Sequence, residues 1–300
     1  MPVIQDYING RWKPREIDDS MPTMTPDEIV KTLRDSLEEY SIEKYPAKHR
    51  SHLGISLIGD ECWRKIWLTF RWAKLNQFDP RMRRLFQRGK DEEAKIEQFL
   101  LWAGISFRAV IDPSTGDQHK ASLIDGHYGG ETDGIATLGF ADNLPVICEF
   151  KTHNKKSFDK WKADGVVKSK PEHWAQMCGY GKEFKIQHGL YVAVNKDDET
   201  MDFEFKTLDW NYAIELEKKA TDIIYAKLPP EKISQQSSFW KCQYCHFQSI
   251  CFYNEPVEKN CRSCVFSEPV ENAQWKCNKF GQVIPKDFIP KGCNEHKGII

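Results

Sequence analysis

The sequence predicts an α/β fold: a mixed central sheet flanked by helices, with a cysteine-rich, metal-binding C-terminal region. Three observations predict it. Helical spacing dominates residues 26–104, short β-type runs alternate with helical ones to about residue 228, and cysteine, lysine and aromatics then replace periodicity over 240–300.

The first twenty-odd residues read as a strand and a loose arm. Thr25-Pro26-Asp27-Glu28 forms a capping-box pattern, and Ile29, Leu33, Leu37 and Tyr40 recur at helical spacing, so a helix is expected over 26–41. Asp60 is placed to cap a second helix, "ECWRKIWLTFRWAK". Pro80 opens a third that Gly104 ends. The runs "SFRAVI", "KASLID", "ETDGIATL" and "LPVICEFKT" read as strands, the last two forming a hairpin around "GFADN". Ser169-Lys170-Pro171-Glu172 reads as a second capping box opening "HWAQMCGYGKEF". Two strands around "DDET" and the amphipathic helix "WNYAIELEKKATDIIYAKL" follow, and Pro229-Pro230 marks a boundary. The domains expected are an N-terminal helical arm (1–55), a core (56–230), a first cysteine segment (231–258, joined by Cys62) and a second (259–300).

Three hundred residues with 40% hydrophobic content allow an ample core. No apolar run approaches membrane-span length and the start has no apolar signal core, so a cytoplasmic protein without membrane contact is expected. A net charge of −1 excludes nucleic-acid binding by bulk charge but leaves room for a local basic groove. Ten cysteines in such a setting point to metal rather than to disulfides.

The stretch "CEFKTHN" carries the chemistry. Strand alternation puts Glu149 and Lys151 on one face and Val146, Cys148 and Phe150 on the other. Two charges buried on a strand are costly unless paired or bound to metal. Asp133, on the neighbouring strand of the hairpin, converges on them. Two carboxylates and a backbone carbonyl make a hard oxygen site suited to Mg²⁺ or Mn²⁺. His173, Gln176 and Tyr180 share one face of the following helix, a polar stripe able to reach a phosphate. Basic runs flank this acidic floor: Arg81, Arg83, Arg84, Arg88 and Lys90 on one side, and Lys155 to Lys170 on the other. A phosphodiester needs such walls and such a floor.

Asp133, Glu149-x-Lys151 and Gln176-x-x-x-Tyr180 together resemble the PD-(D/E)xK nuclease superfamily, in its RecB-like branch, over roughly residues 60–210. That branch includes nuclease domains of recombination helicases, phage exonucleases and CRISPR adaptation nucleases. Thr132 stands where the motif's proline is expected. The resemblance implies a restriction-endonuclease-like core and a metal-dependent deoxyribonuclease. It implies that Asp133, Glu149, the Phe150 carbonyl and Glu93, four residues after Gly89, hold one or two Mg²⁺ or Mn²⁺ ions. Lys151 would position or deprotonate the attacking water, Gln176 would orient the site, and Tyr180 would line the strand's path. Products would carry a 5′-phosphate and a 3′-hydroxyl.

Cys242, Cys245 and Cys251 form a C-x2-C-x5-C array one ligand short of a tetrahedral site, and Cys62 is the best fourth. The iron–sulfur members of the branch share this layout, so the resemblance implies a 4Fe–4S cluster; Zn²⁺ is the rival occupant. A second array, Cys261, Cys264, Cys277 and Cys293 with His296 competing for the last place, reads as a zinc-ribbon-like knuckle. Cys148 and Cys178 read as packed. The leading expectation is a DNA exonuclease or end-processing nuclease of phage recombination, replication or degradation, acting on single-stranded DNA or free ends and possessing a recombination or replication partner. Its rivals are a CRISPR-adaptation-type trimming nuclease and a non-catalytic, metal-stabilised DNA-binding protein.

Overall fold

A computed structural model describes residues 24–112 and 117–300. The strand and arm expected at the N-terminus lie outside them. The chain divides into two units, residues 1–45 and 46–300. In the first, helix α1 (Pro26–Lys44) starts with the expected capping box: Thr25 Oγ1 accepts from Glu28 N–H, and Glu28 Oε2 accepts from Thr25 N–H at 2.7 Å. Its stripe of Ile29, Leu33, Leu37 and Tyr40 is exposed.

The second unit begins with β1 (Leu53–Gly54) and helix α2 (Trp63–Phe70). Asp60 is not the cap of α2. Cys62 is, its sulfur accepting from Lys65 N–H at 3.4 Å, while Asp60 accepts from Cys62 N–H at 2.8 Å and so fixes the turn that places the cysteine. The helix also stops at Phe70, short of Lys74, because Trp72 takes positive φ. Helix α3 (Pro80–Trp102) is capped by Asp79 and ends before Gly104, as expected.

Strands β2 (Ser106–Arg108), β3 (Val110–Asp112), β4 (Asp117–Gln118), β5 (Lys120–Leu123), β6 (Tyr128–Glu131), β7 (Gly134–Leu138) and β8 (Leu144–His153) follow. The run 106–111, expected as one strand, is split between two sheets. So is "ETDGIATL". Glu131 closes β6, Gly134 opens β7, and Asp133 lies in the bend between them rather than within a strand. The hairpin of β7 and β8 forms as expected, Gly134 pairing with Cys148.

The chain then forms a helix missed in the sequence, α4 (Lys155–Ser169), capped by Asn154 Oδ1 on Ser157 N–H at 2.9 Å. The lysines that suggested a basic wall masked its apolar positions, Phe158 and Trp161. Ser169 ends this helix, and its hydroxyl donates to the Gly165 carbonyl. It therefore caps nothing: α5 (Pro171–Glu183) starts at Lys170 with no side-chain cap. Strands β9 (His188–Asn195) and β10 (Met201–Thr207) and helix α6 (Trp210–Tyr225) complete the region.

The main sheet runs β10-β9-β8-β7-β2, with β8 and β9 parallel and the other neighbours antiparallel. It is mixed, as expected, and has a core on each face. Val146, Cys148 and Phe150 pack with Ile96 and Leu100 of α3, while Ile147, Tyr191 and Ala193 pack with Met177 and Tyr180 of α5. Cys148 and Cys178 are both buried, as read.

The cysteine-rich region holds α7 (Trp240–Gln243), α8 (Gln248–Phe252) and a small antiparallel sheet of β11 (Ser267–Val270), β12 (Gln274–Cys277) and β13 (Gln282–Val283). It does not stand alone. Trp275, Ile284 and Ile289 belong to the same apolar cluster as Leu53 and Phe70. Arg71, at the end of α2, donates to the Arg262 carbonyl at 2.6 Å and the Cys264 carbonyl at 2.7 Å. The Arg262 guanidinium lies over Phe70, Trp72 and Trp275 at 4.4–4.6 Å, so cation–π contact takes the place of a carboxylate partner.

Candidate active site

At the end of β7 and β8 a cavity of about 690 Å³ is lined by Glu93, Asp133, Lys151, His173, Gln176 and Tyr180, among others. Every catalytic side chain expected from the sequence is on this wall or, for Glu149, directly behind it. Glu149 is 0% exposed, and among the described residues its Oε2 has no hydrogen-bond partner. Its Oε1 meets the Lys151 ammonium, two residues along the same face of β8. Lys151 Nζ also donates to the Phe150 carbonyl at 2.9 Å and lies 3.6 Å from Asp133 Oδ2. Asp133 is held by the strand itself, Oδ2 accepting from Phe150 N–H at 2.7 Å.

The electrostatics follow from burial. Burial pushes the Glu93 carboxyl up to about 7, and the Asp133 carboxylate adds to the rise. Burial likewise raises Glu149, and the attraction of Lys151 does not cancel it. For Lys151 burial opposes the charge, but Glu149 and Asp133 outweigh it and hold the ammonium above its ordinary value. Oxygens of Glu149, Asp133 and Phe150 thus converge on a single positive charge, with Glu93 on the same wall. That donor set fits a hard divalent cation, and the unpartnered Glu149 Oε2 supplies the unmet demand for one. Among the described residues no group of three His, Cys, Asp or Glu side chains is drawn tightly enough to be a metal site in itself.

Tyr180 is 2% exposed, and its hydroxyl donates to the Glu131 carbonyl at 2.7 Å. It pins the end of β6, just before the bend that carries Asp133. Gly130 permits this, since a Cβ there would lie 2.5 Å from the Tyr180 hydroxyl.

The basic walls differ from those expected. Arg83 is buried, donating to the Phe78 carbonyl. Lys155, Lys162 and Lys168 pair with Asp159, Asp202 and Asp164. Of the expected runs, Lys90 lines the cavity of the site, and further basic side chains come from outside both runs. A second cavity, of about 510 Å³, shares Arg50, His52, Gly54 and Ser56 with the first and has no carboxylate in its lining. Lys48, Lys65, Lys74 and Lys241 line it, with the exposed ring of Tyr244. Three of those lysines pair with acids outside the lining, Asp60, Glu255 and Glu61. The loop "YPAKHRSHLG", treated only as a connection in the sequence, therefore forms a wall of both cavities.

All ten cysteines are free thiols. Cys62, Cys242, Cys245 and Cys251 line one cavity of about 460 Å³. Cys261, Cys264, Cys277, Cys293 and His296 line another of about 20 Å³. Burial raises the Cys245 and Cys251 thiols, and raises Cys261 to about 11 with Cys293 as the next cause. His296 Nε2 is engaged with Ser263 Oγ at 3.0 Å.

No protein-family model matches the chain, and no curated protein does. Solved structures similar to it include LHK-Exo in complex with dAMP, at TM-score 0.43 and 16% identity over 60% of this chain and 90% of that one. They also include the alkaline exonuclease LHK-Exo from Laribacter hongkongensis, at 0.42 and 18% over the same shares, and SSO0001, at 0.42 and 15% over 73% and 96%. Among the described residues no helix is long and apolar enough to cross a membrane.

Proposed function

We propose that the chain is a divalent-metal-dependent deoxyribonuclease that processes DNA ends, with Asp133, Glu149 and Lys151 at its centre. The observation that carries this reading is the buried Glu149 carboxylate, one oxygen on Lys151 and the other without a partner among the described residues, behind the cavity wall that carries Asp133 and Glu93. A structural ion pair has no need of two further acids beside it. Arg50 and Lys90 on the wall of the site, with Lys48 in the adjoining cavity, support a polyanionic substrate.

Glu93, Asp133, Glu149 and the Phe150 carbonyl would hold Mg²⁺ or Mn²⁺, which supplies charge neutralisation at the phosphate and acidifies a water. The chain's own residues do the rest. Phe150 N–H aims Asp133. Lys151, kept protonated by its carboxylate neighbours, donates a hydrogen bond to water or phosphate; this favours the positioning role over that of a base. Gln176 presents an amide to the cavity, and Tyr180 holds the joint on which Asp133 sits.

In the same reading residues 56–230 are the nuclease core, 231–258 with Cys62 carry a 4Fe–4S cluster or Zn²⁺, and 259–300 carry Zn²⁺. Four thiols lining one cavity, in each of two places, support that assignment. The motif resemblance supplies the context of phage DNA recombination, replication or degradation, with a partner from those processes.

The test is cleavage of end-labelled linear and circular single-stranded DNA by anaerobically purified protein with Mg²⁺, Mn²⁺ or EDTA, alongside its visible absorption and metal content. Metal-dependent cutting of linear DNA is expected. Binding without cutting in every metal would replace this reading with that of a metal-stabilised DNA-binding protein.

A further inference from the structure

Behind the site, four elements bring five polar side chains into file. The Lys170 ammonium, between α4 and α5, donates to Ser157 Oγ on α4. Ser157 Oγ lies 3.4 Å from His153 Nδ1 at the end of β8. His153 Nε2 lies 2.8 Å from Tyr191 Oη on β9, and Tyr191 Oη lies 2.8 Å from His173 Nδ1 on α5. The two imidazoles are nearly parallel, 12° apart at 6.1 Å, with the fully buried Tyr191 hydroxyl between them. His173 then lines the cavity that holds Asp133 and Lys151.

The direction of this file follows from its first member. An ammonium has only protons to give, so Ser157 Oγ accepts from Lys170. The hydroxyl's own proton then goes to its remaining partner, His153 Nδ1. A neutral imidazole accepting at Nδ1 carries its proton on Nε2 and donates it to Tyr191 Oη. Tyr191 has one proton left to give and gives it to His173 Nδ1. His173 therefore carries its own proton on Nε2. The scheme requires both imidazoles to be neutral. Burial, helped by Lys170 and Lys151, holds His153 down to about 4 and His173 lower still.

We propose that Lys170, Ser157, His153 and Tyr191 form a one-way hydrogen-bond relay that locks His173 in its Nε2–H tautomer, as a neutral N–H donor to a phosphate oxygen of the DNA strand in the cavity. The contact to DNA rests on the nuclease reading above; the tautomer does not. The four relay members are positioning residues, and His173 is the group that meets the substrate. A neutral donor suits this place, since a second cation beside Lys151 would repel the metal that the acids are arranged to hold.

The test uses full-length protein with ¹⁵N-labelled histidine. Long-range ¹H–¹⁵N spectra distinguish Nδ1–H, Nε2–H and doubly protonated rings. His153 and His173 are expected to be neutral and protonated on Nε2 at neutral pH. Tyr191→Phe, which removes one oxygen, and the milder Ser157→Ala are each expected to release His173 into a mixture of tautomers. An uncleavable phosphorothioate oligonucleotide is expected to shift the His173 Nε2 signal and leave that of His153 in place. His173→Ala is expected to lower kcat/KM about 10–100-fold, as for a hydrogen bond to a charged group, and His173→Gln, which keeps an N–H donor, to recover part of it. A proton on Nδ1 of His173, a cationic ring, or a tautomer indifferent to both relay variants would overturn the relay. The expected tautomers in a protein that never cuts DNA would uphold the relay and remove its phosphate partner together with the nuclease reading.

Discussion

Two regions of this molecule gather ligand-type side chains, and they are built in opposite ways. The oxygen site stands on secondary structure. Glu149 and Lys151 belong to a ten-residue strand with neighbours on both sides. The thiol sites stand on little: helices of four and five residues, strands of two to four, and connecting loops. At the first site the strands bring charged side chains to a place where burial disfavours them. At the second, the backbone has few ladders of its own, and a bound metal would supply much of what holds it. Removing metal should therefore silence one region and loosen the other.

The largest expected effect is on cleavage. Lys151→Met and Glu149→Gln should each reduce the rate by about 10²–10⁴-fold, the range for a positioned proton-transfer or charge-stabilising group. The fold should survive, because the β8 ladder does not depend on either side chain. Circular dichroism and a melting curve beside the cleavage assay check both halves. Full activity in either variant would break the assignment of the oxygen site.

Cys242→Ala should do the reverse, losing metal and thermal stability first and activity only as a consequence. The affinity of structural zinc sites, on the order of 10 kcal/mol in small peptides, sets the scale of what is at stake. Metal content and a melting curve measured together decide it. A variant that keeps both its metal and its melting temperature would show that Cys242 is no ligand.

A smaller effect separates the regions by pH. Burial raises the Glu93 carboxyl from 4.5 to about 7 and raises that of Glu149 as well. In that window the folded state holds protons that the unfolded state has lost, so stability falls as pH rises. In EDTA the melting temperature should therefore drop as pH rises from about 4.5 through 7. Glu149→Gln should flatten the slope, and so should saturating Mg²⁺, which replaces the protons. A slope unchanged in the variant would mean that the buried carboxylate is not what titrates.

The contrast also explains what the sequence disclosed. The alternation in "CEFKTHN" needs only a period of two, so the shared face of Glu149 and Lys151 and the opposite face of Cys148 were legible. The order of Asp133, Glu149, Lys151 and Gln176 was legible because each lies on or beside a regular element. The break at Thr132 and Asp133 was not, since β6 and β7 belong to different sheets and no local residue announces the change. Helix α4 was hidden by its lysines, and Asp60 was mistaken for a cap because a cysteine sulfur is a rare one. Tyr191 and His153 belong to none of the motifs the sequence offers. The path of hydrogen bonds from His153 through Tyr191 to His173 depends on the parallel register of β8 and β9, which a single sequence does not state.

The smallest expected effect concerns the last ligand of the second thiol site. Both Cys293 and His296 line its cavity, but His296 already gives Nε2 to Ser263. Cys261, Cys264 and Cys277 line the same cavity. His296→Ala should therefore leave zinc content unchanged and shift stability by about 1 kcal/mol, the worth of a single hydrogen bond, whereas Cys293→Ala should empty the site. Equal zinc loss in both variants would make the histidine a ligand. It would also bring the two regions closer together, because the tail would then hold its metal partly through a nitrogen that the apo fold has committed elsewhere.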